Sequence, residues 1–384
     1  GGLFLSAVAL SACWHWAIRR SKTRYIYIVA AGALTVLLLS PMYVERRKYL
    51  EQNATEIKQS QEAINEEQDK LGDLLETLKG LPSGRVFAGA PGEDHWGDQY
   101  RVGATPVYHL LGAEGLDMMS YSFHTYSLPS YALTDFDETR LDHYEVFNVR
   151  YVVAPDYWES PPFAKLVQRY GQHNLYIVET TGYFDLVRSD LALAGKASDF
   201  YRVASGWLSS PLPGMKRHPR VYVNNPPRDP SLINFSEPAH IIQYDPASTH
   251  PSLGAVLSEK VGQGSFTAKV MVEHESLLLL KASYHPNLAA SVGGIKTNTV
   301  MVMPGFTGVS LPPGTHEVSI EYQPRTLRKI LLCLGFLTLI LILLCENRSP
   351  YIYGWFNTII LSRVLARKRI RSVTSTGRRR RGRR

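Results

Sequence analysis

The stretch "GAPGEDHWGDQY" (Gly89–Tyr100) sets Glu93, Asp94, His95 and Asp98 beside Trp96, Tyr100 and three glycines. Neighbouring acids with an imidazole can pass a proton, and carboxylate oxygens can hold a divalent cation. The same carboxylates next to two aromatic rings also suit a sugar, whose face packs on rings while its hydroxyls bond to oxygens. A polar Gly/Pro loop following a strand has this composition too. Glu93, Asp94, His95, Trp96, Asp98 and Tyr100 are therefore the candidate sugar-contacting residues, with no catalytic and no metal-ligating residue assigned. A second stretch, "YSFHTYSLPSYALTD" (Tyr121–Asp135), carries tyrosines and His124 that either line a groove or pack as loop aromatics. His109, His143 and His285 fall on patterned elements and read as packed or surface residues. The chain has no phosphate loop, no dinucleotide fingerprint, no G-x-S-x-G and no H-E-x-x-H. Its cysteines, Cys13, Cys333 and Cys345, all sit in apolar runs, which offers neither a disulfide framework nor a metal spacing to the polar middle.

Whatever these residues do, they must be held somewhere, and the hydropathy pattern says where. Three apolar runs stand out: Leu3–Ile18, Tyr25–Val44 with tyrosines at its ends, and Ile330–Cys345, which carries no charge. Sixteen helical residues reach only about 24 Å of a ~30 Å hydrocarbon core, and snorkelling Arg328 and Lys329 make up the difference. The net charge of +8 comes from 42 Lys+Arg against 34 Asp+Glu, and the excess base is concentrated after Arg348, ending "GRRRRGRR". Such a run can neutralise phosphates of nucleic acid. Directly after an apolar span it reads instead as a cytoplasmic flank, so no nucleic-acid partner is expected. "RRSKTR" (Arg19–Arg24) is basic as well and lands on the same side, which places residues 45–325 outside. The opening "GGLFLSAVAL" reads as the remainder of a longer membrane helix, and the chain as a C-terminal fragment.

The expected class is thus a membrane protein of α plus β type. Transmembrane helices flank an extracytoplasmic α/β domain and a jelly-roll-like β-sandwich. Residues 1–44 hold two spans, the first truncated, and 45–82 a long amphipathic helix with Leu50, Ile57, Ile64, Leu71 and Leu78 seven apart. That stripe fits a helix lying against its own chain better than an oligomer seam. Residues 83–197 alternate helix and strand. The strands are "RVFAG" and "VRYVVAP", the helices Pro106–Gly115, Glu138–Asn148 and Ser160–Gly171, and a hairpin crosses Gly182. Residues 198–325 read as short strands with Gly/Pro turns at Gly293–Gly294 and Pro313–Gly314, the sandwich pattern. Residues 326–346 are the third span. Residues 347–384 form an interfacial helix and basic tail.

"LLLLKASYHPNLAASVGG" and "VSLPPGTHEVSIEYQP" resemble the C-terminal module of the YfhO-like bacterial membrane proteins, through Tyr284, Pro286, Leu311, Pro312, Gly314, His316, Tyr322 and Pro324. "VFNVRYVVAP" is similar to that family's "LNVRYVV". Leu288 and Gly293 depart from it, standing where Trp and Asp are usual. The resemblance implies a glycosyltransferase taking sugar from a polyprenyl-phosphate carrier in the bacterial plasma membrane. This part would hold a cell-envelope glycan or glycolipid acceptor, and the family's acidic catalytic loop lies in an upstream bundle. It implies no cofactor in this chain, with a divalent cation left to the full-length enzyme. Against it stands a non-catalytic, membrane-anchored polysaccharide-binding or scaffolding protein.

Overall fold

The computed structural model describes residues 2–19, 24–92, 96–119, 128–224, 226–229, 232–235, 252–262 and 264–346. It is a mixed α and β protein with several sheets and one long apolar helix near its N-terminus. Helices α1 (Gly2–Ile18) and α2 (Arg24–Glu66) pair antiparallel, with Trp14 Nε1 donating to Thr35 Oγ1 at 3.1 Å and Trp16 edge-on to Tyr27. α2 is long and apolar enough to cross a membrane. It runs unbroken through Pro41 from the apolar run into the polar one, about 65 Å of helix. The seven-residue stripe is covered only along its later half. Leu50 and Ile57 are exposed, Ile64 packs inward, and Leu71 and Leu78 are buried on α3 (Gln68–Gly80).

After α3 come β1 (Arg85–Phe87), the short pair β2 (Arg101–Val102) and β3 (Thr105–Pro106), α4 (Val107–Ala113), α5 (Leu128–Ala132) and α6 (Leu141–Phe147). The strands β4 (Val149–Ala154), β5 (Lys165–Tyr170) and β6 (His173–Ile177) follow. They form a four-stranded sheet ordered β1-β4-β6-β5, with β1 parallel to β4 and the other pairs antiparallel. Asn148 ends α6 in the left-handed region (φ 51°), and its buried carboxamide accepts from Thr180 Oγ1, so the chain turns straight into β4.

Three expectations fail here. Ser160–Gly171 is not a helix: Gly171 (φ 64°) makes the tight turn between β5 and β6 rather than a helix stop, and β5 is a mostly exposed edge strand. Nor do Asn174–Thr181 and Tyr183–Ser189 form a hairpin. At Gly182 (φ 93°) the chain leaves the first sheet, and the Glu259 carboxylate takes the Tyr183 and Phe184 amides at 3.1 and 2.9 Å. Leu128–Asp135, expected as loop, is helical, with α5 followed by a 3-10 turn.

The remaining elements are β7 (Phe184–Val187), β8 (Ala192–Gly195), α7 (Phe200–Ser209), β9 (Arg220–Val223), β10 (Ile233–Asn234), β11 (Gly254–Val261) and β12 (Ser265–Val272). Then come β13 (Ser276–Ser283), β14 (Leu288–Val292), β15 (Ile295–Thr297), β16 (Val300–Val302), β17 (Phe306–Leu311), β18 (Gly314–Tyr322) and α8 (Thr326–Glu346). A seven-stranded sheet runs β10-β8-β9-β16-β17-β13-β7, and a five-stranded sheet β11-β12-β18-β14-β15. Strands from both sides of position 198 share the larger sheet, so that position is not a break in the hydrogen-bonded framework. Gly293 and Gly294, both with positive φ, make the β14–β15 turn.

Strand β13 is covered on both faces. Leu277 and Leu279 join the core with Phe200, Val203, Ala204, Trp207 and Leu208 of α7, whose spacing is that of a one-sided helix. Leu278 and Leu280 are buried outside that core, while alternate residues Ala268, Val270, Val272, Val318 and Ile320 are buried on the five-stranded sheet, as a two-sheet sandwich requires. Arg85 ties the first sheet to β13 by donating to the Phe147 and Lys281 carbonyls at 2.6 Å each. A separate compact unit holds α8, where the Gln323 amide donates to Asn287 O at 2.8 Å. Its apolar side chains from Leu327 to Ile342 are exposed.

Candidate functional site

Gly89 (φ 81°) and Gly97 pack backbone to backbone, and a Cβ on either would collide with the other. This close approach turns Trp96 inward against Phe87, Tyr100 and Trp158. Its Nε1 donates to both Glu138 carboxylate oxygens at 2.9 Å, and Trp158 Nε1 donates to Oε2 of the same residue at 2.8 Å. One acid thus serves two indoles. Asp98 accepts from the Gly92 amide at 2.8 Å and from Tyr108 Oη at 2.7 Å. Partial burial opposes its charge, but these bonds outweigh it and hold the carboxyl below its usual range.

Tyr100 is buried, and its hydroxyl bonds to His173 Nδ1, while His173 Nε2 donates to Glu67 Oε2 at 2.7 Å. Burial and then the Glu67 charge push the Tyr100 phenol up. Burial lowers His173 despite Glu67, so the imidazole is held neutral. The bonds also explain the break between α2 and α3, since Glu67 is the residue between them and takes Gln172 Nε2 as well.

Trp96, Asp98 and Tyr100 therefore direct their polar atoms into the protein. Glu93, Asp94 and His95 lie outside the described residues. Among the described residues no group of His, Cys, Asp or Glu could hold a metal ion. The partners Glu138, Trp158, His173 and Glu67 are 20 or more residues away in sequence, which hides them from local patterns. Glu138→Ala should leave two indole N–H groups without their acceptor and cost about 2 kcal/mol, with a changed tryptophan emission. Denaturant unfolding followed by fluorescence checks this, and an unchanged midpoint would refute it.

A different cluster has the geometry of a binding cleft. Lys281, at the end of "LLLLK", is buried, and its Nζ donates to Thr181 Oγ1 at 2.7 Å. Thr181 Oγ1 donates to Asp185 Oδ2 at 2.9 Å, and Lys216 Nζ to Asp185 Oδ1 at 2.9 Å. Burial works against the Asp185 charge, yet Lys281 and Lys216 overcome it and keep the carboxyl below its ordinary range. Burial brings Lys281 down to about 8 even with Asp185 3.9 Å away. Thr181, Asp185 and Lys216 line a cavity of about 750 Å³ with Arg188, Met215 and residues 252–256. Carboxylate, hydroxyl and ammonium on one wall suit a polyhydroxylated ligand. The sequence held one signal: a lysine closing a strand of buried leucines requires a counter-charge.

No family model matches the chain, and neither a curated protein nor a solved structure matches it.

Proposed function

We propose that this chain is the acceptor-holding, C-terminal part of an integral-membrane glycosyltransferase that takes sugar from a polyprenyl-phosphate carrier, with a cell-envelope glycan or glycolipid as acceptor. The observation that carries the proposal is the cavity walled by Thr181, Asp185 and Lys216, in a chain whose α2 and α8 present exposed apolar side chains. Its alternating donors and acceptors can pair with sugar hydroxyls. No residue of the chain is assigned to bond making. In this proposal α1, α2 and α8 cross the bacterial plasma membrane, the sheets lie outside, and the basic tail lies in the cytoplasm. A non-catalytic polysaccharide-binding scaffold is the second reading, favoured by the same cavity, which can hold a glycan whether or not sugar is transferred.

The test is sugar transfer by the full-length protein from a polyprenyl-phosphate carrier to envelope glycan. Lys216→Ala should raise the KM for acceptor about tenfold while leaving donor use unchanged. Glycan binding without transfer would support the scaffold, and a reporter near Ser252 that reads out in the cytosol would sink the proposed orientation.

A further inference from the structure

A second cavity, of about 460 Å³, shares Arg188 and Leu253 with the first. Arg188, Arg217 and Arg220 line it from the segments that follow β7 and open β9. The backbone sets two of them side by side: Arg188 and Arg217 form an isolated parallel bridge, and the His218 amide donates to Arg188 O at 2.8 Å. The Arg217 side chain is only 2% exposed, with Nη2 3.3 Å from Asp190 Oδ2. Its guanidinium is a planar fork of donors.

Other lining residues carry polar groups as well. Arg220 Nη2 reaches Ser310 Oγ at 3.5 Å, whereas Arg220 Nε, Ser189 Oγ and Ser276 Oγ are buried with no hydrogen-bond partner among the described residues. Each such group costs on the order of 1–3 kcal/mol when left so, and all three belong to residues that line the cavity. Asp190 and Glu275 line it too, so three guanidiniums outnumber two carboxylates. The volume falls within the range of small-molecule sites and exceeds what a bare oxyanion fills.

We propose that this cavity binds a monosaccharide bearing an oxyanion, either a uronate carboxylate or a sugar phosphate. The acidic group lies against the arginines, where a bidentate fork matches its oxygens. The ring hydroxyls donate to Asp190 and Glu275. The inference stands on the cavity's own groups and does not require the chain to be part of a transferase.

Calorimetric titration of the full chain in detergent with glucuronate, glucose 1-phosphate, glucose and inorganic phosphate tests it. At least one acidic sugar should bind, about tenfold or more tighter than glucose and than inorganic phosphate, and the better of the two tells carboxylate from phosphate. Arg220 is half-buried. Arg220→Ala should weaken that binding roughly tenfold, and Arg220→Lys should recover only part, because an ammonium lacks the fork. Ser276→Ala should give a smaller loss and carries the test if Arg220→Ala does not fold. Equal binding of glucose and the acidic sugars, phosphate as tight as either, no binding of any probe, or variants that bind like the parent would each overturn the proposal.

Discussion

Asp185→Ala is expected to destabilise the protein by about 3–5 kcal/mol, the range for removing one partner of a buried ion pair. The carboxylate stands between Lys281, which is buried, and Lys216, and it also takes the Thr181 hydroxyl and the Leu186 amide. Without it the Lys281 ammonium keeps the Thr181 oxygen and the weaker pull of Glu145 and Glu259, in a strand whose neighbours are leucines. The pH dependence gives a second check. Lys281 titrates near 8 in the native protein against an ordinary 10.5, so the folded state releases this proton first. Between those values the unfolded chain binds more protons, and this group's contribution to stability rises with pH. Below 8 the buried charge is a standing penalty that Asp185 offsets. Since removing Asp185 lowers Lys281 further, the loss in Asp185→Ala should be largest at acidic pH, shrink as pH rises toward 8 and level off above it. Adding Lys281→Met should restore part of the stability, because the unpaired charge goes with it. A double variant no more stable than the single one, by urea unfolding, would show that Lys281 is not what Asp185 holds.

How far the sequence foretold this arrangement depends on the range of each interaction. The apolar stripe from Leu50 to Leu78 was legible because helical periodicity is local. Where its cover begins, at Ile64, was not, because that depends on Tyr100, Val102 and Leu175 arriving from later elements. β5 was misread because Gly171 serves equally well as a helix stop or a hairpin turn, and only pairing with β6 decides between them. The same limit governs the sites. Trp96 and Asp98 were visible as residue types, but Glu138, which fixes Trp96, comes from the approach to α6. The arginine cavity had no local signature at all. Arg188, Arg217 and Arg220 look like ordinary surface bases until the parallel bridge brings two of them together beside Asp190.

Lowering the pH from 6.5 to 4 should cost the fold about 3 kcal/mol through His218 alone. The imidazole is buried, its Nδ1 donating to Met303 O at 2.7 Å and its ring 4.9 Å from Trp207. Burial brings it down to about 4; the Met303 bond and Asp185 oppose that shift, while Lys281 and Lys216 add to it. Between 4 and 6.5 the unfolded chain takes up a proton that the folded one refuses, so stability rises with pH across that window and is lost as pH falls. A gap of roughly 2.5 units corresponds to the figure given. Asp185 titrates below the window, and Glu145, raised first by burial, acts with the opposite sign. The measurement must therefore isolate the histidine. His218→Gln keeps a donor for Met303 O but has no proton to gain, so its unfolding free energy should fall far less than the parent's between pH 7 and 4.5. Equal slopes would mean that another group carries the acid sensitivity. Since the His218 amide also bonds to Arg188 O, protonating this ring should loosen the bridge that aligns Arg188 with Arg217. Acidic-sugar binding should then weaken over the same pH range in the parent and hold in His218→Gln.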